Sequence, residues 1–226
     1  MILEWLIQLL NTRHQPINNM KRSTTFITVL YLLLNYAPSS VKAQDSSKIF
    51  FTTAVGLLNP VSSFSNAYKN SLALNSGIEY KINRHYFAQF VLDFNAVNYS
   101  QQLKDASSAF LFQQTTSSVF LAGFNIGRNF PLLSSGKIFV SPYVGIGYAN
   151  IGEPRLVVDN ANGIINQQVT RMKGVFGRGG TRFGYNTKSK ILQTIYVDAS
   201  YWTANITVQE SRPTAFSFLI GTRVGF

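Results

Sequence analysis

The sequence predicts an all-β protein, an eight-stranded antiparallel up-and-down β-barrel that spans a membrane. Hydrophobic residues make up 46% of the 226-residue chain and charged residues only 13%, about half the charged share of an ordinary soluble protein. No run of about 20 apolar residues is present, which excludes a bundle of membrane helices. Instead, apolar and polar residues alternate along segments of about ten residues, as they do in the strands of a membrane barrel.

Eight alternating segments follow one another along the chain. In each of them most of the residues at every second position are apolar, and the positions between them are mostly small or polar. Because successive side chains of a strand point to opposite faces, each segment is predicted to be a strand with one lipid-facing side. In chain order the segments span 49–57, 72–82, 86–95, 119–126, 137–148, 175–185, 195–202 and 216–226.

The apolar faces of the segments are rich in Ile, Leu, Val, Phe and Tyr. Those of the first four comprise Ile49, Phe51, Val55 and Leu57; Leu72, Leu74, Ile78, Tyr80 and Ile82; Tyr86, Ala88, Phe90, Leu92 and Phe94; and Phe120, Ala122, Phe124 and Ile126. Those of the last four comprise Ile138, Val140, Pro142, Val144, Ile146 and Tyr148; Val175, Gly177, Gly179, Thr181, Phe183 and Tyr185; Ile195, Val197, Ala199 and Tyr201; and Phe216, Phe218, Ile220, Thr222, Val224 and Phe226.

The connections between the segments alternate in length. Short ones are predicted at 83–85, 129–136 and 186–190, and long polar ones at 59–70, 98–114, 150–167 and 203–213. Long loops at one end and short turns at the other are typical of membrane barrels. A soluble β-barrel or sandwich is the alternative, but it would carry a charged outer face, and this chain has few charges to supply one.

Residues 1–43 are predicted to be a secretory signal peptide with a spurious upstream extension, 1–19. The basic pair Lys21-Arg22 precedes a short apolar stretch, and Val41-Lys42-Ala43 has the form of a cleavage site. A membrane anchor is the alternative, but the apolar stretch is too short to cross a bilayer. The barrel domain is therefore expected to occupy residues 44–226.

The faces assigned to the barrel interior carry seven charged residues, Glu79, Lys81, Asp93, Arg178, Arg182, Asp198 and Arg223. Unpaired charges in an enclosed space are costly, so these residues are expected to pair across strands. Asp198 lies one strand away from three of the arginines and is the expected centre of the network. Several inward aromatic residues favour a plugged interior, and a charged pore lining is the alternative.

The stretch Ser141–Tyr148, the Phe216–Phe226 strand and the Val41-Lys42-Ala43 site together resemble small outer-membrane barrels of Gram-negative bacteria. The resemblance is to the porin-family proteins similar to the OmpA transmembrane domain and OmpX, and to their Bacteroidetes branch. It implies a location in the bacterial outer membrane and reading of Phe226 by the barrel-assembly machinery. It also implies an orientation in which Arg171 and Lys173 contact lipopolysaccharide phosphates at the outer rim.

The sequence contains no recognisable catalytic, metal or cofactor site. Cysteine is absent, and His85 lies in a predicted tight turn without an acidic neighbour in sequence. The loop acids, Asp105, Glu153, Asp159 and Glu210, are scattered singly, so no calcium site is expected. The basic run 171–182 lacks the Gly-Lys-Ser/Thr of a phosphate loop and continues a strand pattern, so no nucleic-acid partner is expected.

These observations predict a non-enzymatic envelope protein with a structural, adhesion or surface-binding role through its four long outer loops. The expected partners are outer-membrane lipid, lipopolysaccharide, the assembly machinery and an extracellular ligand that the sequence does not identify. The chain is expected to be monomeric. A narrow pore or transporter for small or apolar solutes is the alternative function, followed by an enzyme that modifies lipid A.

Overall fold

The computed structural model describes residues 48–99, 115–159, 163–187, 189 and 191–225. The predicted signal peptide, Asp105 and Phe226 lie outside these ranges. The described elements are β1 (Ile49–Pro60), a 3₁₀ helix (Ser62–Asn66), β2 (Ser71–Lys81), β3 (Tyr86–Tyr99), β4 (Thr115–Arg128), β5 (Phe130–Pro131), β6 (Ile138–Asp159), β7 (Ile164–Asn186), β8 (Leu192–Ala204) and β9 (Thr214–Gly225). No helix in this part of the chain has the length and hydropathy needed to cross a bilayer.

The strands form one closed antiparallel sheet. Strands consecutive in sequence pair with each other, except that β4 and β5 both pair with β6, and the β1–β9 pairing joins the first strand to the last. Strand β5 continues β4 across Asn129 in an unchanged register, because Gly127 faces Tyr143 and Phe130 faces Val140 on β6. The barrel therefore has eight strands around its circumference, with β4 and β5 counted as one, and the predicted eight-stranded antiparallel fold is confirmed.

The two faces of each strand point as the alternation predicts. Outward residues such as Phe124 and Val144 are each 66% exposed, whereas inward residues such as Phe87 and Phe176 are 1% exposed. The outward faces of the described strands thus form an apolar belt around the barrel. A soluble barrel would bury such a surface, so the belt is suited to the hydrocarbon of a bilayer.

The β6–β7 connection differs from the prediction. Residues 150–167 were expected to form a long polar loop, but β6 continues to Asp159 and β7 begins at Ile164. Val157, Val158, Ile165 and Val169 favour extended backbone. The two strands pair as a ribbon from Gly152 with Arg171 to Asp159 with Ile164. The ribbon leaves the barrel after the last β4–β6 pair, Val119 with Ile151.

Inside the barrel, large rings lie over glycines on the neighbouring strand. In five cases the ring and the glycine are direct cross-strand partners: Phe87 with Gly127, Phe139 with Gly184, Tyr143 with Gly180, Phe176 with Gly147, and Tyr196 with Gly221. In each case a Cβ built on the glycine would meet that ring. The alternation of large and small residues lets an eight-stranded barrel fill its narrow interior.

Gly184→Val is therefore expected to lower the free energy of unfolding by about 1–3 kcal/mol, because the new side chain displaces the Phe139 ring. Gly179→Val is the matched control on the same strand, since a Cβ there has open space within 4 Å. Urea titration of both variants in detergent micelles measures the difference. Equal stability of the two variants would show that the ring does not need the glycine.

Candidate functional site: the barrel interior and the long-loop end

Glu79 lies at the centre of the interior ion pairs. Its side chain is 1% exposed, and its two carboxylate oxygens accept hydrogen bonds from Arg182 Nη1 and Arg223 Nη1, each at 2.8 Å. Glu79 is on β2, and Arg182 is on β7, which is four strands away in either direction around the barrel. This ion pair therefore joins opposite walls of the barrel.

Asp198 has a smaller share of the network than the sequence suggested. Its Oδ1 accepts a hydrogen bond from the Tyr143 hydroxyl at 2.7 Å, and its Oδ2 lies 3.5 Å from Arg182 Nε. It therefore contacts one arginine, whereas Glu79 binds two. The expectation that Asp198 is the centre is wrong because long arginine side chains reach across the barrel instead of pairing only with the adjacent strand.

A second ion pair lies closer to the long-loop end. Arg178 on β7 donates to Asp93 on β3, and Asn75 also donates to Asp93. Six of the seven charged residues predicted to pair in the interior, all except Lys81, are at most 8% exposed and make at least one of these ion pairs.

Little empty space remains around these charges. The cavity between the two ion-pair groups measures about 10 Å³ and is lined by residues including Asn125, Tyr143 and Ser200. A cavity of this size holds about one water molecule. The polar centre of the barrel is therefore filled by side chains.

An aromatic plug closes the interior toward the long loops. We use this name for Phe64, Tyr68, Tyr99 and Trp202, each of which is 0% exposed. The 3₁₀ helix after β1 places Phe64 inward, where its ring centroid is 4.5 Å from Tyr68 and 6.4 Å from Trp202. The Tyr68 and Tyr99 centroids are 5.3 Å apart. The sequence predicts a plugged interior, but it does not predict that Phe64 and Tyr68 contribute to it, because the pattern of 59–70 indicates a polar loop.

Tyr68 anchors the plug to the base of the β6–β7 ribbon. Its hydroxyl donates a hydrogen bond to the Gly152 carbonyl at 2.8 Å. Burial raises the pKa of this hydroxyl well above its usual range, so the group remains a donor at physiological pH. Ser117 Oγ donates to the same carbonyl at 2.6 Å, and Gln209 N donates to Glu153 Oε1 at 3.1 Å. The base of the ribbon is thus held by three neighbouring segments.

Arg171 and Lys173 lie on the outer face of β7, just beyond the apolar belt. Both are exposed. They lie four and two residues before the outward-facing Val175, so their side chains are on the same face of the strand. Arg171 Nη1 donates to Ser118 Oγ on β4 at 2.7 Å. In the described part of the chain, no three His, Cys, Asp or Glu side chains are grouped so that they could hold a metal ion.

Scans against protein-family models and curated proteins found no match. Among solved structures, the chain is similar to neisserial surface protein A, with 16% identity over 80% of this chain and 98% of the other and a TM-score of 0.44. It is similar to the N-terminal β-barrel domain of Pseudomonas aeruginosa OprF, with 11% identity over 78% of this chain and 98% of the other and a TM-score of 0.41. It is also similar to Ail, the attachment invasion locus protein of Yersinia pestis, with 12% identity over 79% of this chain and 99% of the other and a TM-score of 0.40.

Proposed function

We propose that this chain is a non-enzymatic integral protein of the bacterial outer membrane that binds an extracellular ligand through its long-loop end. The observation that carries the proposal is the β6–β7 ribbon. Eight residues of β6, from Gly152 to Asp159, continue past the last pair with β4. At about 3.3 Å per residue, the ribbon extends roughly 26 Å along the strand direction beyond that pair.

The ribbon has the properties of a recognition surface. Beyond its base, β6 residues 155–159 form ladder pairs with β7 residues 164–168. A two-stranded ribbon is marginal by itself, and this one is braced at its base by Tyr68, Ser117 and Gln209. Arg155, Asn166, Gln167 and Gln168 are exposed, so the ribbon offers polar side chains to a partner.

The filled interior of the barrel favours a role in binding at the surface over transport of a solute through the barrel. The aromatic plug fills the long-loop end, and the ion pairs fill the centre. The buried carboxylates Glu79, Asp93 and Asp198 are all engaged with arginines. Groups held in this way are poorly placed to act as an acid or base on lipid, which disfavours the lipid A-modifying alternative.

The proposal includes an orientation with the long loops outside the cell. In that orientation Arg171 and Lys173 lie at the level of lipopolysaccharide phosphates, to which they would donate charge-assisted hydrogen bonds. Membership of the porin family and its Bacteroidetes branch, reading of Phe226 by the assembly machinery, and a monomeric state remain predictions from the sequence.

Shortening the ribbon tests the proposal. Replacing residues 155–168 by Asn-Gly, a turn suited to a two-residue hairpin, keeps the braced base and removes the projection. We expect an intact barrel by heat-modified gel mobility and loss of attachment of intact cells to immobilised matrix proteins and glycans that wild-type cells bind. Leu132→Ser/Leu133→Ser at the short-turn end is the control and should retain attachment. Undiminished attachment by the shortened variant would contradict the proposal.

A further inference from the structure

A cavity of about 280 Å³ opens at the end of the barrel opposite the ribbon. It lies among the short turns, and its lining residues include Lys81, Arg84, His85, Asn129, Asn186 and Arg223. A single water needs only about 10–15 Å³ of such space, so the cavity can hold a larger polar group. None of the residues that line it is acidic.

Different elements bring the cationic groups to this cavity. Lys81 is the last residue of β2, and its Nζ lies 4.6 Å from the centroid of the Phe50 ring. Arg84 and His85 are exposed in the turn that follows. Arg223, on β9, lines the cavity from the interior of the barrel. Lys81, Arg84 and Arg223 therefore line one space.

Arg223 has a donor nitrogen without a partner in the described part of the chain. Its Nη1 binds Glu79 at 2.8 Å, and its Nη2 lies 3.5 Å from Asn186 Oδ1. Its Nε is buried and has no hydrogen-bond partner among the described residues, although the side chain is 7% exposed. A buried guanidinium N–H without an acceptor is costly, so the protein groups around Arg223 do not satisfy it fully.

The interior charges also leave positive charge at this end. Glu79 is shared between Arg182 and Arg223, and the other interior carboxylates, Asp93 and Asp198, contact Arg178 and Arg182. Lys81 is also one of the seven charged residues predicted to face inward, and it makes none of these ion pairs. The excess charge therefore lies at the cavity.

We propose that this cavity is an anion site that takes a phosphate group, with Lys81, Arg84 and Arg223 as its donors. Arginine and lysine bind phosphate oxygens through charge-assisted hydrogen bonds. Three cationic side chains line the same cavity, and a phosphate group has several acceptor oxygens for them. The phosphate belongs either to free inorganic phosphate or to a phospholipid headgroup, and the site is independent of the ribbon at the other end.

Phosphorus NMR titration of the purified mature protein in uncharged detergent micelles tests the site. One arm adds inorganic phosphate, and the other adds short-chain phosphatidylglycerol below its micelle concentration, both at constant ionic strength. We expect saturable one-site binding in at least one arm. Binding of phosphate identifies the free anion as a ligand, and binding of the phospholipid alone identifies a headgroup site.

Lys81→Gln/Arg84→Gln is expected to weaken this binding at least tenfold. Lys137→Gln is the matched control, because Lys137 is exposed near the same end but does not line the cavity, and it should change affinity less than twofold. If the double variant does not fold, Arg84→Gln alone replaces it, with an expected loss of at least threefold. Absence of saturable binding in both arms, or an equal loss in the Lys137 control, would overturn the proposal.

Discussion

Glu79→Gln is expected to lower the free energy of unfolding of the barrel by about 3–5 kcal/mol, the usual cost of removing one partner from a buried ion pair. The substitution preserves the shape of the side chain but removes the charge that faces Arg182 and Arg223. Both guanidinium groups are at most 7% exposed, so water cannot replace the carboxylate without a rearrangement of the interior. The loss comes from the charge, since an amide can still accept one hydrogen bond.

Urea titration monitored by the fluorescence of Trp202 measures this change, because Trp202 is the sole tryptophan after the predicted cleavage site. Asp198→Asn is the matched comparison. Asp198 contacts one arginine at 3.5 Å, and an amide oxygen there can still accept the Tyr143 hydroxyl, so we expect a loss of about 1–3 kcal/mol. An equal or larger loss for Asp198→Asn would show that Glu79 is not the centre of the network.

Trp202→Ala is expected to cost about 3–5 kcal/mol of unfolding free energy, the usual range for removal of a buried tryptophan ring. Trp202 is fully buried beside Phe64, and its Nε1 has no hydrogen-bond partner among the described residues. The loss is thus one of packing, and no hydrogen bond is broken. Trp202→Phe is the control: it retains a ring and removes the unpartnered N–H, so we expect a cost below about 1.5 kcal/mol.

Far-UV circular dichroism during urea unfolding measures both tryptophan variants, and planar-bilayer recording adds a second readout. The ion pairs below the aromatic plug are untouched in Trp202→Ala, so we expect no steady conductance from this variant or from the wild type. An unchanged unfolding midpoint in Trp202→Ala would contradict a packed plug. Steady conductance of the wild type would favour the pore alternative.

The facing of the strands could be predicted from sequence because a lipid belt imposes a simple rule. Every second residue must be apolar over a full strand, and Phe216, Phe218 and Ile220 show the rule without interruption. The β6–β7 ribbon extends past the last β4–β6 pair, so a lipid belt does not impose this rule on it; its alternation is weak, and the sequence predicts a loop there. Period-two patterning thus indicates strands within the membrane more clearly than strands outside it.

Two features of the interior could not be predicted. Phe64 lies in a segment with the composition of a polar loop, and its burial depends on the 3₁₀ helix that turns it back into the barrel. The choice of Glu79 over Asp198 as the centre depends on which side chains meet across the closed barrel. The sequence indicates the strand and the face on which a residue lies. It does not indicate which residues of opposite strands lie at the same level along the barrel axis.

The ion pairs of Glu79 have a consequence for the order of assembly. Its two arginines lie 103 and 144 residues further along the chain, and Arg223 is on the last strand, which meets the first strand at the β1–β9 seam. Contacts this distant in sequence form late, after the entropy of closing long loops has been lost. An open sheet can build its hydrogen-bonded ladders strand by strand, but it gains nothing from these charges until the seam joins. Seam closure and the pairing of Glu79 with its two arginines are thus a single cooperative event, and a partly zipped intermediate would keep the Glu79 carboxylate in water.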